Sequence, residues 1–232
     1  MTRQTWQQIW EARRIDPSRP SVLAQLLAAD GMDTGFGSVC EEAWSKYVLD
    51  TARTIGIEPG STVFEVGCGA GAWLYELGRL GCQIAGLDGS ATLIGYAREH
   101  LPRGHWASGD AASLSPEPRY DFVVSSGVFL YFTSLEYAQK VLTLMHAKAR
   151  RGLLILDVPD LARRDTALAE RMRISGVDYQ QRYSGLDHLY YPREWFHMRL
   201  AELGVPHVEI RDQAIDGYIN SRFRFNVFAW LG

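Results

Sequence analysis

The sequence is poor in cysteine and carries no marked excess of charge of either sign. Three cysteines occur in 232 residues, at positions 40, 68 and 82, and no two of them form a C-x-x-C pair. Neither a disulfide framework nor a zinc site is therefore indicated, and we expect no metal. Lys plus Arg number 24 against 27 for Asp plus Glu, so the net charge of -3 favours a small molecule over a nucleic acid as the partner.

Long hydrophobic stretches are also missing. No apolar run approaches the ~20 residues needed to span a bilayer, and residues 1–10 lack the apolar core of a signal peptide. We therefore expect a cytoplasmic protein with no membrane partner. A hydrophobic content of 47% is enough to bury one substantial core, so we expect residues 1–232 to form a single domain.

Residues 62–73, T-V-F-E-V-G-C-G-A-G-A-W, join a short β-prone run to a helical pattern through a glycine-rich loop. Gly67, Gly69 and Gly71 permit positive φ angles and close approach of a ligand to the backbone. The N–H groups that open the following helix are unpaired donors and favour a polar or anionic ligand. Glycines also serve ordinary turns, so this loop alone does not decide the function.

Two acidic residues follow predicted strands further along the chain. Asp88 stands 21 residues after Gly67, at the end of an apolar strand at 82–87, where its carboxylate can accept hydrogen bonds from ribose hydroxyls. The alternative is an ordinary turn aspartate. A third short strand at 105–108 ends in Gly109-Asp110, and a fourth at 120–125 opens into Ser126-Gly127.

Strands and helices alternate through the middle of the chain, with a fifth strand at 153–157. This rhythm predicts an α/β, doubly wound sheet whose ligand sites lie beyond the carboxyl ends of the strands. Runs at 207–215 and 222–230, separated by Asp216-Gly217-Tyr218, predict a terminal antiparallel hairpin. One rim is therefore predicted to carry Gly71, Asp88, Asp110, Ser126 and Asp157.

Two further segments are predicted to lie near this rim. Residues 1–58 contain three helical patterns, which either pack on the sheet or form an N-terminal helical lid ahead of the core at 59–232. Residues 159–191 are too long for a simple connection and are predicted to form a substrate cap. Aromatic side chains near the rim either pack the cap or line a pocket for a partly apolar small molecule: Phe129, Tyr131, Phe132, Tyr183, Tyr190 and Tyr191.

Several motifs, taken together, resemble the class I S-adenosylmethionine-dependent methyltransferases of the small-molecule type. They are E-V-G-C-G-A-G at 65–71, Asp88, G-D at 109–110 and Y-D-F-V-V at 120–124, and the resemblance spans roughly residues 39–230. It implies a Rossmann-like seven-stranded sheet with a terminal antiparallel hairpin, S-adenosylmethionine as cofactor, and O- or N-methyl transfer to a small molecule. The sequence departs from the family at 149–152, where A-R-R-G replaces a frequent Pro-Gly-Gly turn.

The same resemblance implies which residues bind the cofactor. Glu65, the loop from Gly67 to Gly71 and Ser126 would face the methionine end, Asp88 the ribose, and Asp110 with Ala111 the adenine. The implied set is Glu65, Gly67, Cys68, Gly69, Gly71, Asp88, Gly89, Asp110, Ala111 and Ser126.

Two alternative functions stay open at this point. Gly67, Gly69 and Ala72 also satisfy the looser G-x-G-x-x-A fingerprint of an NAD(P)-dependent oxidoreductase. Glu65, just before the first glycine, opposes that reading because it would place like charge against a pyrophosphate. A non-catalytic module that binds S-adenosylmethionine is the other alternative.

Methyl transfer from a sulfonium requires an in-line nucleophile, so positioning should dominate catalysis. If the acceptor is a hydroxyl, a general base would help, and His188, flanked by Asp187, is the first candidate. A solvated loop histidine is the alternative. Tyr191 is the second catalytic candidate, and Asp157 and Asp216 are further candidates as binders or bases.

Overall fold

The structure is a computed structural model that describes residues 5–33, 37–175 and 186–232. Within these ranges seven strands form one sheet in the order β3-β2-β1-β4-β5-β7-β6. Strands β1 to β5 are parallel, whereas β7 pairs antiparallel with both β5 and β6. The predicted α/β sheet with terminal antiparallel strands is thereby confirmed. The strands are β1 (Thr62–Val66), β2 (Gln83–Asp88), β3 (His105–Ser108), β4 (Tyr120–Ser126), β5 (Ala149–Pro159), β6 (His207–Asp212) and β7 (Arg224–Trp230).

Helices cover both faces of the sheet. Side chains of α2, α3, α4 and α5 pack with Phe122, Val124 and Leu154 on one face, and those of α6 and α8 pack with Val123 and Leu153 on the other. Neighbouring residues of a strand point to opposite faces, so the central parts of β4 and β5, residues 122–124 and 153–156, are apolar on both faces. The helices in the described ranges are α1 (Trp6–Glu11), α2 (Val22–Ala29), α3 (Glu41–Ile55), α4 (Ala72–Leu80), α5 (Ala91–His100), α6 (Leu135–Lys148), α7 (Arg164–Ser175) and α8 (Arg193–Glu202).

The terminal strands are shorter than predicted, and their connection is longer. Residues 213–223 link β6 to β7 and include a 3-10 turn at Ile219–Phe223. Because β6 runs in the same direction as β5, this connection lies beyond the carboxyl ends of the parallel strands. There the hydroxyl of Tyr218 donates to Oδ2 of Asp157 over 3.2 Å. The final hairpin therefore reaches the predicted ligand rim.

The segment between β5 and α8 is described in part. It contains a 3-10 turn at Leu161–Arg163 and then α7. Tyr179 and Tyr183, two aromatic residues of the predicted substrate cap, lie outside the described residues. None of the helices in the described ranges is long and apolar enough to cross a membrane.

Candidate functional site

The glycine loop between β1 and α4 lies beyond the carboxyl ends of β1 and β2. Gly67, Gly69 and Gly71 have φ angles of 74°, 55° and 94°, so the loop uses the left-handed conformation that favours glycine. The Gly67 and Cys68 amides both donate to the Leu87 carbonyl, over 2.7 and 3.1 Å. The loop is thus anchored to the end of β2.

Asp88 holds both the glycine loop and the start of α5. Its Oδ2 accepts a hydrogen bond from the Gly69 amide over 2.8 Å, and its Oδ1 accepts one from the Ser90 amide over 2.7 Å. Each carboxylate oxygen has a further lone pair, so the side chain can still accept from ligand hydroxyls. The residue predicted to bind the ribose therefore lies beside the loop and also supports it.

Asp30 is a second carboxylate on the glycine loop, and the sequence analysis did not identify it. Oδ1 accepts from the Ala70 amide over 2.6 Å and Oδ2 from the Ala72 amide over 3.0 Å. Gly71, the N-cap of α4, makes no side-chain capping bond, so Asp30 caps this helix from a distant segment. In sequence Asp30 is only the residue that ends α2, a common turn position with no motif to mark it.

Glu65 is the third acid at this place. It lies within β1, is buried, and its Oε2 has no hydrogen-bond partner among the described residues. Burial raises the pKa of Glu65 well above its ordinary value, and the nearby charges of Asp30 and Asp88 raise it further. Burial also raises the pKa of Asp30 to about 7, against the two amide hydrogen bonds that lower it. An unpaired buried carboxylate among two others favours a cationic or hydrogen-bond-donating ligand.

This arrangement corrects the expectation of free amide donors for the glycine loop and for Ala72, the first residue of α4. The Gly71 amide donates to the Cys68 carbonyl over 2.9 Å, and Asp30 takes the Ala70 and Ala72 amides. Every loop amide from 67 to 72 thus has an acceptor within the chain. The loop itself therefore offers no free amide to a pyrophosphate, and its carboxylates would repel one, which disfavours a dinucleotide.

The remaining predicted cofactor residues occupy the same rim. Asp110 follows β3, is exposed, and its Oδ1 accepts from the Ala112 amide and the Tyr137 hydroxyl, each over 2.8 Å. Ala111 begins the adjoining 3-10 turn, and Gly89 and Ser126 lie at the ends of β2 and β4. The Cys68 side chain differs, because it is buried in the core against Gly86. Only the backbone of Cys68 belongs to the loop surface.

Helix α1 packs against residues that follow β4 and β5 and against α5. The Trp6 ring packs against Tyr131 at 4.7 Å and stacks on His188 at 5.1 Å between ring centroids. Thr92 of α5 donates to Glu11 over 2.7 Å. The N-terminal segment thus contacts α5, Tyr131 and His188.

His188 is largely buried, and its ring nitrogen Nδ1 lies 2.7 Å from the Arg171 guanidinium. Arginine is always a donor, so Nδ1 accepts and the neutral ring carries its proton on Nε2. Burial lowers the pKa of His188 well below 6.5, and the charges of Arg171 and Arg224 lower it further. A neutral ring whose accepting nitrogen is already bonded is suited to donating a hydrogen bond and poorly suited to taking a proton.

Tyr191 has the environment of a core residue. Its side chain is fully buried, and its hydroxyl donates to the Phe129 carbonyl over 2.8 Å. Its ring packs against Phe129, Trp195 and Phe196. This placement favours packing over contact with a substrate.

Asp157 combines burial with an unusual backbone at the end of β5. Its φ of 58° is the one positive value on a non-glycine residue in the described ranges, and the register of β5 against β7 shifts between Ile155 and Val158. Such a bulge bends the strand locally and redirects its side chains. Oδ1 of Asp157 makes no hydrogen bond within the described residues, and Nε of Arg224 is 4.0 Å away. A Cβ placed on Gly127 would lie 3.5 Å from Oδ2, so the carboxylate faces the end of β4 beside Ser126.

Comparisons with known proteins agree with this geometry. Residues 63–152 match the family model described as a methyltransferase domain. The ubiquinone biosynthesis O-methyltransferase of Bradyrhizobium sp. (strain ORS 278) is 30% identical over 88 residues, which cover 36% of this chain and 35% of that protein. The chain thus spans about a third of the length of the curated relatives it matches.

Two solved structures have a similar fold at low sequence identity. The magnesium protoporphyrin IX methyltransferase from Synechocystis PCC 6803, with bound S-adenosylhomocysteine, is 17% identical with a TM-score of 0.60, and the match covers 82% of this chain and 84% of that chain. An amino pentose methyltransferase from Micromonospora echinaspora, with bound S-adenosylmethionine, is 15% identical with a TM-score of 0.60, covering 82% and 92%. The fold is the one that these S-adenosylmethionine-dependent methyltransferases share, and residues 63–152 match a methyltransferase domain. The predicted Rossmann-like sheet is therefore confirmed, and the domain match supports the predicted class I family.

These matches support S-adenosylmethionine as the cofactor, and the residues present fit it. Its methionine end carries an ammonium, a sulfonium and one carboxylate, so its net charge is positive, and Glu65, whose Oε2 has no partner among the described residues, lies with Asp30 and Asp88 beside the glycine loop. The described residues contain no group of three His, Cys, Asp or Glu side chains that could hold a metal ion.

Proposed function

We propose that this methyltransferase transfers the methyl group of S-adenosylmethionine to a small-molecule acceptor, and that the acceptor atom is an oxygen. The observation that carries the proposal is the glycine loop itself. Its amides are all bonded within the chain, and three carboxylates, one of them unpaired, surround it. Such a site stabilises positive charge. S-adenosylmethionine carries a positive sulfonium, whereas the pyrophosphate of a nicotinamide dinucleotide is negative.

When bound, the cofactor supplies a methyl group that is already activated by its sulfonium. The work of the protein is then to hold the acceptor in line and to exclude water. Glu65, Gly67, Gly69 and Gly71 would position the methionine end, with Ser126 beside it. Asp88 and Gly89 would hold the ribose, and Asp110 with Ala111 the adenine.

The acceptor side of the proposal rests on the aromatic surface beneath α1. Trp6, Trp10 and His188 all pack against Tyr131, whose ring stands edge-on to Trp10 and His188 at 5.4 and 5.5 Å. Flat apolar surfaces of this kind suit a partly aromatic molecule. We propose that residues 1–58 form the lid over this surface and that residues 159–191 supply its cap.

Deprotonation of an acceptor hydroxyl requires a base, and two residues qualify. The sequence favours His188, but its Nδ1 is bonded to Arg171. Asp157 has an oxygen without a hydrogen bond, and burial raises the pKa of its carboxyl, which makes it a stronger base than an exposed aspartate. We therefore propose Asp157 as the base and His188 as a hydrogen-bond donor to the acceptor.

The O-methylation assignment is supported by the ubiquinone biosynthesis O-methyltransferases, which match about a third of this chain. A cytoplasmic location is part of the same proposal. The test is transfer of tritium-labelled methyl from S-adenosylmethionine into a panel of phenols, enols, hydroxy acids and amines, with mass analysis of the products. Labelled methyl ethers or esters are expected. Binding without transfer to any acceptor would instead indicate a non-catalytic module, and labelled amines alone would overturn the oxygen assignment.

A further inference from the structure

Asp30 lies on the N-terminal segment, forty residues from the loop amide it binds. We propose that Asp30 is a cofactor-recognition residue supplied by this segment, and that its charge makes the site prefer the cationic cofactor over the neutral product S-adenosylhomocysteine. The proposal rests on the proposed function, because it assigns one residue a part in binding the same cofactor.

Asp30 packs tightly against the second glycine of the loop. A Cβ placed on Gly69 would lie 2.2 Å from Oδ1 of Asp30 and 2.8 Å from its Cγ. The second glycine of the loop is therefore needed in part because Asp30 is seated against it. Together with the bonds to the Ala70 and Ala72 amides, this contact fixes the Asp30 carboxylate at the loop surface.

Asp30 also interacts electrostatically with Asp88 and Glu65. Asp30 and Asp88 each raise the pKa of Glu65, and Asp88 raises that of Asp30, so the three carboxylates lie within electrostatic reach of one another. Arg13 is the cation that acts on Asp30, and it is already paired with Asp33 at 3.4 Å. Once ionised, these carboxylates make the local field beside the loop negative. Because burial raises the pKa of Asp30 to about 7, its charge is fully present only above that pH, and the titrations described below are run there.

Glu65 gives independent evidence that a ligand binds beside these carboxylates. Oε2 of Glu65 is buried and has no hydrogen-bond partner among the described residues. A buried carboxylate oxygen without a partner is costly, and it becomes favourable when a cationic donor binds beside it. Asp30 adds a second negative charge to the field that such a donor enters.

Selectivity follows from the charge difference between the two forms of the cofactor. S-adenosylmethionine has a positive sulfonium, whereas S-adenosylhomocysteine has a neutral thioether in its place. Removing one negative charge at the loop weakens binding of the cation more than binding of the thioether. A site with this preference releases its product and takes up fresh cofactor.

The experiment is calorimetric titration of the full chain with three ligands. They are S-adenosylmethionine, S-adenosylhomocysteine and sinefungin, which carries an ammonium in place of the sulfonium. The test variant is Asp30→Asn, which keeps the shape and removes the charge. Asp33→Asn is the matched control, because Asp33 lies in the same segment and pairs with Arg13 and Arg19 instead of the loop.

In Asp30→Asn, we expect the two cationic ligands to lose about fivefold or more in affinity relative to S-adenosylhomocysteine. Asp33→Asn should keep the parental ratio. Equal weakening of all three ligands, or an unchanged ratio, would overturn the proposal and leave Asp30 as a helix cap. If Asp30→Asn does not fold, Asp30→Ser, whose hydroxyl can accept an amide bond without charge, is titrated in its place and read by the same ratio.

Titration of the parent protein distinguishes failure of this inference from failure of the proposed function. A parent that binds none of the three ligands overturns both. A parent that binds S-adenosylmethionine, with variants that keep its affinity ratio, overturns the role of Asp30 alone.

Discussion

Replacement of Asp88 by Ala tests the cofactor site at the residue that holds both the glycine loop and the start of α5. The change removes the acceptor of the Gly69 amide and the acceptor of the Ser90 amide, at 2.8 and 2.7 Å. Each amide left without a partner in a buried place costs about 1–3 kcal/mol. Loss of the Asp88 charge partly offsets this cost, because that charge acts unfavourably on Glu65 and Asp30.

The net effect on the free protein is therefore a loss of about 2 kcal/mol of unfolding free energy. For a chain of this size the melting temperature should fall by about 4–8 °C. Cofactor binding should lose a further 1.5–3 kcal/mol, because two ribose hydroxyls no longer find a charged acceptor, which corresponds to a roughly 10- to 150-fold rise in Kd. Thermal unfolding without ligand and calorimetry with S-adenosylmethionine measure the two effects separately.

Asp121→Ala is the matched control for this variant. Asp121 accepts from the amide and the hydroxyl of Thr62 over 2.8 and 2.9 Å, at the opposite end of β1 and β4 from the rim. It should lose stability without losing cofactor affinity. Unchanged affinity in a folded Asp88→Ala protein would refute the ribose assignment, and an equal loss of affinity in Asp121→Ala would show that general destabilisation explains the result.

Three further variants test the buried groups around the site. Glu65→Gln should stabilise the free protein at pH 7 and weaken S-adenosylmethionine binding. Because the pKa of Glu65 is raised in the folded state, its ionisation lowers the free energy of unfolding as the pH rises above about 4.5. Unfolding measured against pH tests the first effect, and calorimetry with S-adenosylmethionine tests the second. His188→Gln should reduce the loss of stability on acidification below about pH 6.5. The pKa of His188 is lowered in the folded state, so below that pH the unfolded state binds a proton that the folded state does not. If denaturant titrations at several pH values give parallel curves of unfolding free energy against pH for the variant and the parent, this prediction is contradicted. Tyr191→Phe should keep turnover and lose about 0.5–1.5 kcal/mol of stability with the hydrogen bond to Phe129, and a large fall in kcat would show instead that Tyr191 acts on the substrate.

Sequence alone determined the features that depend on short stretches of chain. The alternation of apolar strands with helices predicts the parallel sheet, because each pattern reports the burial of its own element. The glycine loop and Asp88 were identified because each follows a predicted strand. A parallel sheet brings the carboxyl ends of its strands to one edge, so position along a strand is enough to place these residues there. The terminal antiparallel strands were predicted as well, although their connection is longer than the expected turn.

Tertiary structure decided which charges meet at that edge. Asp30 looks like the end of a helix, and only the packing of α2 beside α4 brings its carboxylate to amides forty residues away. His188 resembles a free base in sequence until Arg171 is found at its Nδ1. Asp157 faces the rim because a register shift in β5 redirects its side chain. Contacts of this kind depend on how distant elements are placed relative to one another. Local periodicity cannot predict that placement, because it records only which face of each element is buried.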